Sequence, residues 1–535
     1  MKKIYILSSV LLCTFASVTA QSTNTEYFVS SSYTRTNLNP ALRPANGYVG
    51  FPVLTNVSLD YKTNTFNLEN FIIPGISDKL DANGKKKAGF IFNKNVDYNT
   101  AMKNFSDANF LALDFNATLL GFGFYAGDMF WSFDLSARVL SDFNVPFGFF
   151  DFLKKGLQSG STYDFKDLSI SATAFAQTAI GTSFPLMDDN LMVGVKLKVL
   201  TGLGAASFNI DRFQFDMASG ESKQWMLTTQ GTLQVHAPGV KTKPKEGAEG
   251  EDEIDTDDIK PAISGWGLGV DLGGVFNLGY ISDALENFSV SAAVTDIGGI
   301  SWDKANTVTL TTNETDIMLI DGDGSIDELS FDEIGDQVKE AMKLHETKDA
   351  KNMKGMGLRS KMNIGVDYAF SSFPANVGIL STTHFNPAKT FTELTLGGSI
   401  RPFKKGLELG ASYSLVYSNF QKFGVSLHLG NFLFISSDYL MPKVNSDFLP
   451  VSVKGLNVQL GIAIPLGGHK KKGSIDATPI TPKSKKEKPK KEDVPPVEIP
   501  VEAPIETPVD VPVETPVNEP VEDPATVTTT TTIQY

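Results

Sequence analysis

From Trp131 to Val139 the chain alternates. Trp131, Phe133, Leu135, Ala137 and Val139 fall on one side, and Ser132, Asp134, Ser136 and Arg138 on the other. A period of two is that of a β-strand, whose successive side chains point to opposite faces. The pattern returns in LMVGVKLKVL (191–200), with Val193, Val195, Leu197 and Val199 opposite Lys196 and Lys198. It returns again in LSISATAFAQTAIGTSF (168–184), FSVSAAVTDIG (288–298) and LNVQLGIAIPL (456–466), where Gly and Ala are common on the second face. The pattern predicts an all-β protein. Alternation alone does not decide which face meets water. A soluble sandwich turns the apolar face inward, and a membrane barrel turns it outward into lipid.

Length and turn placement favour the membrane. Several runs exceed ten residues, whereas ordinary strands average about 5–6 and tilted strands crossing a bilayer need about 9–11. Short links at 126–128, 185–190, 281–287 and 403–405 alternate with long polar ones at 142–166, 238–260 and about 303–355. One rim of short turns and one of long loops is the asymmetry of outer-membrane barrels. The span from Gly47 to Leu466 accommodates about 14 to 16 antiparallel strands, an even number as in bacterial barrels. A lysine facing lipid near the midplane costs about 2–4 kcal/mol. A one-residue slip would impose that on Lys196 and Lys198 together. Both are therefore expected to face a wet lumen with Asp134 and Arg138, and these four are the candidate lumen-lining residues.

The ends and the composition narrow the setting. Lys2 and Lys3, the apolar run IYILSSVLLCTFASV and a cut after Ala20 have the parts of a secretory signal peptide, assigned to residues 1–20. Cys13, the one cysteine, lies within that segment, so no disulfide framework is expected. Leu12 stands before it where lipidation wants a small residue. With no apolar run after the signal long enough for a membrane helix, entry into a membrane requires a closed barrel. The formal charge of −14 becomes −16 once Lys2 and Lys3 are removed, which argues against nucleic acid as a partner.

Candidate chemistry is sparse. The five histidines are far apart and show no metal-ligand spacing. DGDGSIDELSFDE (321–333) is weakly calcium-like: with Gly324 at the invariant glycine, Asp321, Asp323 and Asp327 fall acceptably. However, Leu319 and Ser330 occupy the two outer ligand positions, so a solvated acidic loop is the reading. SFDEIGDQVKEAMKLH (330–345) has helical spacing, with Ile334, Val338 and Met342 four apart. GWGLG (265–269) and GFGFYAG (121–127) do not lead from strand into helix as a phosphate loop must, and no GxSxG elbow is present. Neither an enzyme nor a cofactor is expected.

After the last strand comes a lysine-rich stretch (469–493), then prolines every four residues from Pro496 to Pro524. Such density blocks helix and sheet and favours a polyproline rod, about 90 Å long at ~3.1 Å per residue. An even strand number returns this tail, residues 469–535, to the periplasm. It is either a tether for a periplasmic or cell-envelope partner or a disordered spacer without one.

TNLNPALRP (36–44), GLGVDLGGVFNL (267–278) with FSVSAAVTDIGGISW (288–302), and the closing NFLFISSDYL…VKGLNVQLGIAIPLG resemble a family of exported barrels from Bacteroidetes-type bacteria filed as a domain of unknown function. That family is similar in architecture to the long-chain fatty-acid channels (FadL-like) and to the barrel shuttle of the type IX secretion system. The resemblance covers about residues 22–468. It implies an outer-membrane barrel over 47–468 in a Gram-negative cell, in contact with outer-membrane lipid. By the same similarity, Asn39, Pro40 and Ala41 mark residues 21–46 as a plug that blocks or gates the lumen. The other reading is that Pro40 and Pro44 only set a rigid turn into the first strand. Two functions follow as expectations. One is passive passage of small solutes, hydrophobic ones included. The other is a non-transporting scaffold or secretion-associated barrel that recruits partners through acidic outer loops and the tail.

Overall fold

The computed structural model describes residues 23–468 apart from short interruptions, of which 76–83, 322–343 and 348–355 are the longest. The expected signal peptide, Asp323 and Asp327, the helix over 330–343 and the tail 469–535 lie outside the described residues.

A closed antiparallel barrel of 14 strands forms the body. Its first wall strand is made of two collinear halves, β1 (Asn46–Gly50) and β2 (Asn56–Thr63). Then come β3 (Ala108–Ala126), β4 (Met129–Pro146), β5 (Ser169–Leu186) and β6 (Leu191–Met217). A hairpin strand, β7 (Gln224–His236), precedes the wall strands β8 (Gly265–Asn277) and β9 (Phe288–Trp302). Beyond them, β10 (Thr307–Thr312), β11 (Ile317–Asp321) and β12 (Leu344–Glu346) belong to the outer loops. The wall resumes with β13 (Lys361–Ala369), β14 (Ala375–His384), β15 (Phe391–Phe403) and β16 (Leu407–Val416). It ends with β17 (Phe420–Leu429), β18 (Leu433–Asp438) and β19 (Gly455–Gly468). Closure is direct: β19 pairs with β1 (Tyr48 with Pro465) and with β2 (Val57 with Leu460), and both halves pair with β3. With no open edge, the ladder satisfies the wall's backbone groups, as lipid requires.

The alternation is realised as an apolar exterior. Leu197, Val199, Leu268, Ile364, Val366, Leu394, Leu396, Phe423 and Val425 are exposed on the outer surface, while their neighbours Lys196, Lys198, Asn363, Glu393 and Thr395 are buried inside. A belt of exposed aliphatic and aromatic side chains on a closed barrel is the surface that lipid covers. Trp131, Phe133 and Leu135 share the outer face, and Ser132, Ser136 and Arg138 are buried on the inner one.

The wall departs from regularity in two places. Between β1 and β2 the chain leaves the ladder at Phe51–Thr55, yet Phe51 N donates to Ile462 O (3.0 Å), Ile462 N to Leu54 O (2.8 Å) and Val53 N to Leu119 O (2.9 Å). At β8 and β9 the register shifts between Val270 and Leu272, and Asp296 takes a φ of 57°. Asp tolerates that left-handed conformation better than most residues. The resulting bulge sets Thr295 and Asp296 together opposite Asp271, so that Asp296 joins Asp271, already on the inner face by alternation, inside the bore.

The long-loop rim contains more structure than its polar sequence suggests. β8 begins opposite Gly202, so the remainder of β6 runs past the rim, where it pairs with β7 from Ala205 to Met217. β7 pairs in turn with β10 and β11, giving a projecting sheet. Leu344 and His345, expected at the end of a helix, instead pair in β12 with Thr311 and Thr312. Between β2 and β3, Phe66, Phe71, Phe92 and Phe105 pack with Phe150 of the helix Phe147–Lys155 into a separate core.

Candidate functional site

The bore is occupied. Residues 23–45 lie inside it, with Thr23–Thr25 against Gln459, Ser436 and Asp438 away from the short turns and Arg43 and Pro44 at the short-turn end beside Asp128 and Tyr125, and with two 3-10 turns at Asn24–Tyr27 and Thr34–Asn37. Thr23, Thr25, Glu26, Phe28, Val29, Ser32 and Ala41 are 0 % exposed. Their anchorage is both apolar, with Tyr27, Phe28, Leu38, Ala41 and Leu42 packed against Met192, Val275 and Leu380, and polar, through bonds to one side of the barrel. Asn24 N donates to Asp438 Oδ2 (2.6 Å), and Ser30 N and Ser31 N donate to Glu408 Oε1 and Oε2 (2.9 and 3.0 Å). Asn376 Nδ2 donates to Phe28 O (2.9 Å) and Asn363 Nδ2 to Leu38 O (2.7 Å). His428 Nε2 lies 3.1 and 3.0 Å from the two carboxylate oxygens of Glu26, which also accepts from the Ser426 hydroxyl. Burial pushes the Glu26 carboxyl up, but the charge and hydrogen bond of His428 and the hydroxyls of Ser32 and Ser426 outweigh it and hold it at about 2.

Glycines make the space. A Cβ on Gly365 would run into Tyr27, on Gly397 into Phe28, on Gly410 into Val29, and on Gly424 into Thr25. The same holds across the bore for Gly194 against Pro40 and Gly273 against Asn39. The Asn39–Pro40–Ala41 element is therefore an anchor in this socket. Asn39 Nδ2 donates to Gly274 O (3.2 Å) and Ala292 O (3.4 Å), while its Oδ1 accepts from Ala41 N (2.9 Å). A mere turn into β1 would not bury it among β8 and β9. Sequence reasoning noted the small residues on the inner face but had no means to see what they accommodate.

The other side of the bore is tied together by ions. Arg138 reaches Asp296 (Nη1–Oδ1 3.1 Å), Asp114 (Nη2–Oδ2 3.3 Å) and Gln177 (Nη1–Oε1 3.1 Å). Lys198 Nζ lies 2.6 Å from both Asp271 Oδ1 and Asp296 Oδ1. Lys196 Nζ bonds Asn37 Oδ1 on the plug (2.9 Å) and pairs with Asp134 Oδ2 (3.4 Å). Asp134 and Arg138, on one strand face, thus have different partners. Nor do Arg138, Lys196 and Lys198 line a broad wet channel. They are buried in a filled bore, where each charge is matched by an acid on another strand. Asp114, Gln177, Asp271 and Asp296 escaped the sequence reading because their partners come from other strands. Asp321, the described member of the calcium-like loop, pairs through its backbone with Gln224. Among the described residues no group of three His, Cys, Asp or Glu side chains is placed to hold a metal.

Between the plug tip and this ionic wall lies a cavity of about 60 Å³, lined among others by Asn37, Leu38, Asn116, Ser136, Arg138 and Lys198. At about 10–15 Å³ of such space per water, it has room for about four to six waters.

A plugged, lipid-belted barrel of 14 strands belongs to the class of outer-membrane β-barrels. Within that class, residues 40–438 match the model of a family of unknown function, DUF5723, and the chain belongs to that family. No curated protein matches the sequence. Among solved structures, the TodX deltaS2S3 mutant monoaromatic hydrocarbon channel is similar at 11% identity, with 84% of this chain and 96% of that one covered and a TM-score of 0.33. The ferric-catecholate import receptor Fiu from E. coli K12 is similar at 9% identity, with 76% and 71% covered and a TM-score of 0.19. The siderophore receptor PirA from Pseudomonas aeruginosa is similar at 7% identity, with 78% and 81% covered and a TM-score of 0.18.

Proposed function

We propose that the chain is an outer-membrane channel for small polar solutes, held closed by its own residues 23–45. One observation carries this reading: beside its apolar contacts, the plug is fixed through many hydrogen bonds and ion pairs to hydroxyl, amide and carboxylate side chains of the wall. Water replaces such partners when the segment withdraws, so the net difference per bond is only about 0.5–1.5 kcal/mol. The charged and amide lining of the cavity disfavours hydrocarbon passengers, so the hydrophobic solutes admitted by the sequence reading drop out of the proposal.

Conductance of the reconstituted full-length chain in planar bilayers tests it. Wild type is expected to be mostly closed, and Glu26→Gln, which cuts the charge holding His428, is expected to open at least tenfold more often. Silence of both proteins, with heat-modifiable mobility proving the barrels folded, would remove the channel.

A second reading, a scaffold at the cell surface, is favoured by the projecting sheet of β6, β7, β10 and β11. Deleting that sheet should leave conductance intact under the channel reading.

A further inference from the structure

The cavity above the plug tip has a property that the channel reading does not require. Its ionic groups cancel. Arg138, Lys198 and Lys361 in the lining stand against Asp134 and Asp296, and Lys196, Asp114 and Asp271 immediately behind it bring the count to four of each sign. Arg138, Lys196 and Lys198 are each within 3.4 Å of a carboxylate oxygen. An entering ion would lose hydration and meet no net countercharge to offset the loss. The rest of the polar lining is neutral and can both donate and accept: Asn37, Asn56, Asn116 and Gln177 with Ser58 and Ser136. These side chains form a dense set of hydroxyl and amide partners around a space now fit for about four to six waters.

We infer that this cavity is a binding site for small uncharged molecules rich in hydroxyl groups, a polyol being the simplest. The assignment rests on the channel reading for its biological use, but the site itself is testable without transport. A polyol replaces the waters hydroxyl for hydroxyl, so the amides and hydroxyls keep their partners. The fixed pairs stay intact, with Asp296 still between Arg138 and Lys198. Plug residue Asn37, held by Lys196, forms part of the floor, and its withdrawal would enlarge the site for longer members of the class.

The chain's one native cysteine, Cys13, lies in the segment expected to be cleaved, so a single introduced thiol reports cleanly. In the full chain, Ser136→Cys places a thiol in the lining, and Thr392→Cys, on the exposed outer face of β15, serves as the reference. Labelling by methyl methanethiosulfonate is followed with glycerol or with sodium chloride at equal osmolarity. Glycerol is expected to slow labelling at 136 at least tenfold at saturation, leaving 392 unchanged, while salt protects neither. Asn116→Leu should abolish the protection. Equal slowing at both positions, equal protection by salt, or no protection at all overturns the inference. Proteoliposome swelling in glycerol separates the two readings. Protection without swelling keeps the site and removes the channel, whereas ion conductance without protection does the reverse.

Discussion

The two sides of the bore solve the same problem in opposite ways. On β3 to β9 the inner positions carry large polar side chains, Asp114, Arg138, Gln177, Lys198, Asp271 and Asp296, which fill the space and tie six wall strands together. On β13 to β18 the inner positions are often small, with Gly365, Gly397, Gly410, Ser412, Gly424 and Ser426 among them, and a separate segment of chain fills the space. Both outcomes give interior packing close to that of a solid. Their consequences differ. A wall held by its own ion pairs is a fixed part of the barrel, whereas a side filled by residues 23–45 is closed by something removable. The cavity lies where the two fillings meet, with Asn37 on one side and Arg138 on the other.

The largest effect should come from the fixed side. Asp296→Ala leaves Arg138 and Lys198 short of a shared carboxylate, and breaking a buried pair from one side typically costs about 3–5 kcal/mol. Urea unfolding in detergent should show it, and an unchanged midpoint would mean that the network does not bind the wall. Next, Leu197→Arg puts on the lipid face the chemistry that Lys196 and Lys198 carry inside. It should lower stability by about 2–4 kcal/mol in bilayers, and a neutral result would contradict the assigned outer surface.

Smaller effects belong to the removable side. Gly397→Val forces atoms into Phe28 of the plug, an overpacking worth about 1–3 kcal/mol. Because the plug can yield, the expected result is a barrel with wild-type heat-modifiable mobility but raised conductance. Loss of the folded barrel instead would place the plug among the fixed parts. Last comes acid. The Glu26 carboxyl is held at about 2, below its ordinary 4.5, so its contribution is full above pH 4.5 and is lost as the pH falls toward 2. Plug opening should therefore increase across that window, and Glu26→Gln should flatten the response.

Much of the barrel was legible because alternation is a local property. Trp131 and Arg138 show their faces within one strand, and Lys196 and Lys198 pin the register of β6 by the cost of placing them in lipid. The candidate site was only half legible. Asn39, Pro40 and Ala41 were noticed through resemblance, yet the residues alone left open whether they plugged the bore or turned the chain. The outer loops misled for a related reason. Leu344 and His345 sit in a stretch with helical spacing, but backbone pairing with β10 draws them into a strand. Tertiary pairing overrides so short a local preference.

The sequence by itself determined that the chain is built of long strands with one apolar face, because each side chain's direction is set by its immediate neighbours. Only the closed tertiary structure decided what the inner faces meet. Asp296 stands 158 residues from Arg138, and His428 stands 402 from Glu26. Period two says that each points inward. It says nothing of which inward groups come opposite one another once fourteen strands have closed around a plug.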